Sequence, residues 1–397
     1  MIKIKKIKFR NILNSAGNIA LEIEILTDKN ISEKASTPSA IVPGRREVVA
    51  TSDFENKDLK ELVEKISNIE IENQKIFDKI LEGYIDKLGA NICLALSLAF
   101  ARVSAKNEKK SLVQYISEQA NYNVKKISPI PLITVFSGGI HDKSIKGSMQ
   151  NIMLSVDIHP FSNAVRAITK IYTVIENKLK EKKLLKGYGA SSGMIVEKMT
   201  TNEKFEMIEK VIKNLNYEKE VSIAIDVAAE HFYENGNYIY EGRAISSEQL
   251  NDILSQYVQN YNITYVEDPF HFSDEKWWKI FKQNNPNILT VGDDLFATQD
   301  KYIDRELANG IIIKMNQVGT LTGTITAFKK SKSEKMLTCV SQRSIETEDT
   351  FMCDLAVALN SEYIKIGGPR RGDRIIKYNR LLRLEERILY NENSNFR

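Results

Sequence analysis

From about residue 126 onward the chain repeats one pattern: a short apolar run, a polar residue at its end, then an amphipathic stretch with helical spacing. The runs are Val221 to Ile225, Ile263 to Val266, Ile288 to Val291, Gly310 to Ile313, Met336 to Val340 and Tyr363 to Ile366. They recur at roughly 20 to 40 residues, the length of one strand–helix unit, and about eight such units close a parallel barrel of about 250 residues. This periodicity predicts a (β/α)8-type barrel over residues 126–397. An open doubly wound sheet is the rival, but no Gly-rich dinucleotide fingerprint follows an early strand.

The first 125 residues read differently. Met1 to Phe9 alternates apolar and basic residues like a strand, a turn falls at Asn14–Asn18, and Ile19 to Leu26 alternates again. Beyond Pro43-Gly44, Leu59, Leu62, Val63 and Ile66, and then Ile76, Ile80 and Tyr84, take helical spacing. A small α+β domain is expected, ending near Lys125, just before Ser128-Pro129-Ile130-Pro131 restricts the backbone.

Bulk properties narrow the function classes. With 397 residues, 42% apolar and 27% charged, the chain has the makings of a soluble two-domain protein. Its 56 basic and 52 acidic residues are interspersed, which disfavours nucleic-acid binding. Cys93, Cys339 and Cys353 are odd in number and lie in apolar runs, so a reducing compartment without disulfides is expected. The N-terminus lacks the continuous apolar core of a signal peptide, and the apolar stretch Ile92 to Val103 reads as a buried helix, giving a cytoplasmic expectation with no membrane partner.

The residues that end the apolar runs carry the chemistry: Asp226, Glu267 with Asp268, Asp293 with Asp294, Lys314, Ser341 to Ser344, and Lys365. In a barrel such positions converge on the C-terminal face. Carboxylates from separate strand ends, with no His or Cys beside them, are hard oxygen donors that favour Mg²⁺. A lysine near that ion could abstract a proton next to a carboxylate, a second could clamp an anion, and Arg343 with Ser344 suits a phosphate.

Several segments resemble the enolase family end to end: Tyr265-Val-Glu-Asp-Pro-Phe270, Val291-Gly-Asp-Asp-Leu295, Ile313-Lys-Met-Asn-Gln-Val-Gly-Thr-Leu321 and Ile364-Lys-Ile-Gly-Gly-Pro369 in the barrel, and Asn14-Ser-Ala-Gly-Asn18 and Leu88-Gly-Ala-Asn-Ile92 before it. The resemblance implies that Asp226, Glu267 and Asp293 hold Mg²⁺. It makes Lys314 the base for the proton on C2, with Asp294 as its partner, and Lys365 the clamp for the carboxylate of a phosphorylated acid. Arg343 and Ser344 would bind the phosphate and His141 would be an active-site histidine, although the residues alone leave it structural. A homodimer formed through the smaller domain is also implied.

The match breaks at the positions that serve the second metal and the leaving group. Val42 stands where the family has a serine metal ligand, Asn151 where it has a glutamate, and Gln342 where it has a histidine. A second glutamate position falls on Ser192 or, with a shifted register, on Glu197; Ala16 replaces an arginine of the first turn. The expected function is a Mg²⁺-dependent lyase that abstracts the α-proton of a 2-phosphoglycerate-like acid. A non-catalytic scaffold and an ordinary glycolytic enolase are the alternatives.

Overall fold

The computed structural model describes residues 1–39, 44–48, 57–125, 128–139 and 147–390. The positions expected to matter at Val42 and His141 lie outside these residues.

The N-terminal domain begins with an antiparallel sheet whose spatial order is Ser32–Ser36, Ile19–Thr27, Ile2–Leu13, Glu70–Ile71. One face of the sheet turns Ile2, Ile4, Leu21, Ile23 and Ile25 inward, as a period of two requires of a half-buried strand. That face lies on helix Ile85–Asn107, which kinks where Gly89 takes a φ of 78°. Among the described residues this is the one helix long and apolar enough to cross a membrane, but 89% of that apolar window is buried inside the molecule. It is a core helix, as its run of Leu, Ala and Ile suggested.

Eight strands close the second domain into a barrel: Ile130–Ser137, Asn151–Val156, Val221–Asp226, Ile263–Glu267, Leu289–Gly292, Gly310–Ile313, Leu337–Ser341 and Tyr363–Lys365, with the eighth pairing back onto the first. The six expected apolar runs are the last six strands, within a residue at their starts and ends. One departure matters for the site: the second strand runs antiparallel to both its neighbours. Its first residue, Asn151, therefore lies at the barrel end where the other strands finish, in register with Asp226. The uniform strand–helix repeat also fails between the fifth and sixth strands, where only the 3₁₀ turn Asp300–Tyr302 intervenes.

The barrel is filled rather than open. Leu132, Met153, Ala224, Tyr265, Leu289, Val291, Ile312 and Cys339 form one interior cluster, drawn from the first seven strands, with Tyr363 of the eighth packed against it. This apolar plug floors the polar mouth. All three cysteines are free and buried, which agrees with the absence of a disulfide framework.

Polar contacts join the two domains. Arg102, on the core helix, makes a two-pronged bond to Asp349 of the barrel domain at 2.7 and 2.8 Å, and Asp349 also accepts the Ser36 backbone N–H. Asp78 accepts both the N–H and the hydroxyl of Thr322, in the first turn of barrel helix Leu321–Ser333, and the Ser97 hydroxyl accepts the Leu321 N–H.

Candidate active site

The third, fourth and fifth strands end on carboxylates because each exhausts its apolar run at the barrel rim. Asp226 and Glu267 are register partners, and Asp293 follows the neighbouring strand by one residue. Asp226, Asp293, Asp294, Lys314, Arg343, Ser344, Gln342, Asn151 and Lys365 line one cavity at this rim. Glu267 sits just beneath it, fully buried and bonded to the Lys365 ammonium.

Charge pairing organises the interior. The Lys365 Nζ donates to Asp226 Oδ2 and to both Glu267 oxygens, each at 2.8 Å. Lys314 Nζ bonds Asp293, and Arg343 Nη1 bonds Glu47 Oε1 at 2.8 Å. Burial and the charge of Asp226 push the Glu267 carboxyl up to about 8. Burial together with Asp293 raises Asp294 to about 7. Asp293 is the exception: burial would raise it, but Lys314 and then Lys365 hold it below the usual range. Burial alone would lower both lysines, yet the carboxylates around them raise both.

The crowded carboxylates fit a hard divalent cation. Asp268, Asp293 and Asp294 bring carboxylate oxygens within 4.8 Å of one another, and burial with neighbouring negative charge raises Glu267 and Asp294. Asp268 has a different task from its neighbours. Its backbone takes a φ of 44°, and its two carboxylate oxygens accept the backbone N–H groups of Asp293 and Asp294 at 2.9 and 2.8 Å. It fixes the turn that aims Asp293 rather than offering both oxygens to the cavity.

Asn151 and Gln342 line the cavity as expected. The Asn151 amide donates to Asp226 Oδ2 at 2.9 Å, and its Oδ1 has no partner among the described residues. Gln342 Oε1 likewise has no partner among the described residues.

Ser192 is a correction. Its Oγ donates to the Arg370 carbonyl at 2.9 Å and its own carbonyl accepts the Tyr172 hydroxyl, so it faces away from the cavity and Ser191 lines it instead. A φ of 60° at Ser192 makes this turn and sends the two neighbouring serines in different directions. Glu197 is outside the site as well: it follows the short strand Met194–Val196 and pairs at the surface with Lys186 at 2.8 Å.

Glu47 and His231 are among the lining residues that went unread in the sequence. Glu47 lies just beyond Pro43-Gly44 and reaches Arg343 and Gln317. His231 sits in the 3₁₀ turn Ala229–Phe232, five residues beyond Asp226. Neither belongs to an apolar run, so periodicity could not flag them; the proximity of His231 to Asp226 in sequence was the available signal.

Family comparison agrees with this geometry over both domains. The description "Enolase, N-terminal domain" matches residues 4–116, and "Enolase, C-terminal TIM barrel domain" matches residues 125–396. The chain belongs to the enolase family. It is 34% identical to the enolase of Methanocaldococcus jannaschii, with 97% of this chain and 96% of that protein aligned. It is 33% identical to the enolase of Sulfurisphaera tokodaii, over 96% and 95%. In this enolase-family barrel Asp226, Asp293, Lys314 and Lys365 line the cavity at the rim.

Proposed function

We propose that this enolase-family chain is a Mg²⁺-dependent carbon–oxygen lyase that removes the α-proton of a phosphorylated, 2-phosphoglycerate-like carboxylic acid. The observation that carries the reading is the convergence of Asp226, Glu267 and Asp293 with Lys314 and Lys365 at one barrel rim. Asp226, Glu267 and Asp293 would hold the cation, which when bound supplies positive charge against the enolate of the substrate carboxylate.

The chain's own groups divide the remaining work. Lys314 is the base. Asp293 raises its ammonium, while Arg343 and Lys365 press it down, so an amine released from Asp293 can take the proton on C2. Lys365 binds the substrate carboxylate and Arg343 with Ser344 the phosphate. Burial of Lys365 and Arg343 strengthens their attraction for an anion, because little water screens it. Phosphate binding at Arg343 competes with or shares the bond to Glu47.

With an amide at Asn151 and Ser192 turned outward, neither position offers an acid, and a positioned acid contributes typically 10² to 10⁴-fold. The position of Glu197 gives no support to an ordinary enolase rebuilt through that residue. A cytoplasmic homodimer belongs to the same reading, since Leu13 and Ile19 face each other across the first hairpin with 67% and 59% of their surface exposed.

Incubation of the protein with Mg²⁺ and 2-phosphoglycerate in D₂O tests the proposal. Deuterium appears at C2 and phosphoenolpyruvate forms, both abolished in Lys314→Ala. A protein that binds the acid with neither exchange nor product, with this and close analogues, is a scaffold, and the lyase reading is then wrong.

A further inference from the structure

The site has a base and a cation set, yet the positions expected to assist the leaving group do not provide an acid. Asn151 carries an amide, Ser192 donates to the Arg370 carbonyl, and Glu197 is paired with Lys186 at the surface. Four of the carboxylates at or beneath the cavity are committed: Asp226 and Glu267 to Lys365, Asp293 to Lys314 and Glu47 to Arg343. Asp268 is held by two backbone N–H groups. Asp294 is grouped with Asp268 and Asp293, their carboxylate oxygens lying within 4.8 Å of one another.

His231 differs from all of these. It lines the cavity, is half-buried, and its ring makes no hydrogen bond to a described residue. Asp226 and Asn151, which are bonded to each other at 2.9 Å, line the same cavity as the imidazole.

Its turn is fastened from outside. Ala228 takes a φ of 50° and its carbonyl accepts the His231 N–H at 3.1 Å. Neighbouring Glu230 pairs with Arg45 Nε at 3.1 Å, and Phe232 is buried in the core. The residues on both sides of His231 are thus fixed while its own ring is left to a ligand.

We infer that His231 is a further catalytic residue, the acid that protonates the oxygen leaving from C3 in the reaction proposed above, on which this inference rests. Lys314 Nζ takes the C2 proton and that C–H electron pair becomes the C2–C3 double bond. The C3–O bond breaks with its pair going to oxygen. The imidazolium N–H proton joins that oxygen, so hydroxide departs as water, and Lys314 and His231 reset by exchange with solvent. Burial holds the imidazole below its ordinary range, Asp226 and Asp293 oppose this and Lys314 adds to it. The group therefore gives up its proton readily and works best on the acid side of neutrality.

Two measurements on the full chain test the assignment. In the first, His231→Gln and His231→Ala are compared with the parent for phosphoenolpyruvate formation and C2 deuterium exchange. Elimination falls by about 10² or more while exchange falls by less than about tenfold, and the unfolding temperature of the glutamine variant stays within about 3 °C. In the parent the elimination-to-exchange ratio rises as pH is lowered from about 8 to about 6, and this rise is absent in His231→Gln. Variants that keep the parental ratio overturn the inference.

The second needs no turnover. The chain has four histidines, so ¹⁵N-histidine resonances can be assigned by substitution. The His231 signals move when 2-phosphoglycerate and Mg²⁺ are added and move less with phosphoglycolate, which lacks C3. Signals that stay still while C2 exchange proceeds exclude His231 and leave the lyase reading intact. Absence of both binding and exchange removes the lyase reading, and this inference with it.

Discussion

Asp268 acts through the backbone of the two carboxylates beside it. Its two oxygens hold the backbone N–H groups of Asp293 and Asp294, so the direction of Asp293, the carboxylate proposed above for the cation, depends on it. Groups that orient metal ligands typically affect affinity by 10 to 100-fold. Asp268→Ala is expected to weaken Mg²⁺ binding by about that factor in isothermal titration calorimetry; affinity within about twofold of the parent would deny it the role. The same residue illustrates the limits of sequence at this scale. Asp226, Glu267, Asp293, Lys314 and Lys365 were legible because each ends a parallel strand, and strand ends converge. Asp268 follows the same rule by position, but its left-handed backbone turns it to a structural use that no pattern encodes. Ser191 and Ser192 are indistinguishable as letters, and only the φ of 60° decides which one lines the cavity.

Among the elements, barrel helix Leu321–Ser333 begins under the smaller domain's influence. Thr320 caps it from within by accepting the Gly323 N–H, and Asp78 accepts the Thr322 N–H from across the junction. Burial outweighs these bonds and pushes Asp78 up to about 6 from 3.8. A folded-state value above the unfolded one means the native protein keeps a proton that the unfolded chain has lost, so this group's contribution to stability falls as pH rises from about 4 to about 6. The span corresponds to about 3 kcal/mol. Urea unfolding of Asp78→Asn against pH is expected to lack this decline; parallel curves for variant and parent would refute it. The last six of the barrel's strands were visible as apolar runs, but Ile130–Ser137 and Asn151–Val156 were not read as such, nor was strand direction. A period of two looks the same read either way, so the reversed second strand needed the register with the first and third to reveal it.

At the scale of the whole molecule, Arg102 and Asp349 tie the core helix of one domain to the other in a partly buried, two-pronged pair. Breaking a fully buried pair costs about 3–5 kcal/mol, and the partial exposure here brings the expected loss to about 2 kcal/mol. Arg102→Met should lower the urea midpoint accordingly, whereas a loss under about 1 kcal/mol would mean that solvent reaches Asp349. Leu13 and Ile19 offer the exposed apolar contact expected of a homodimer, so the double substitution to Asp should halve the sedimenting mass; an unchanged mass would place the interface elsewhere. The backward second strand has one more consequence. It puts Asn151 at the head of an element whose preceding loop is tucked against another hairpin at Gly147, where a Cβ would come within 1.5 Å of the Ile239 carbonyl oxygen. Lys314 and Lys365 sit instead at the tails of forward strands. The mouth of the barrel is thus assembled from chain arriving as well as chain departing, and a change in the one return stroke leaves the strands that carry the lysines undisturbed.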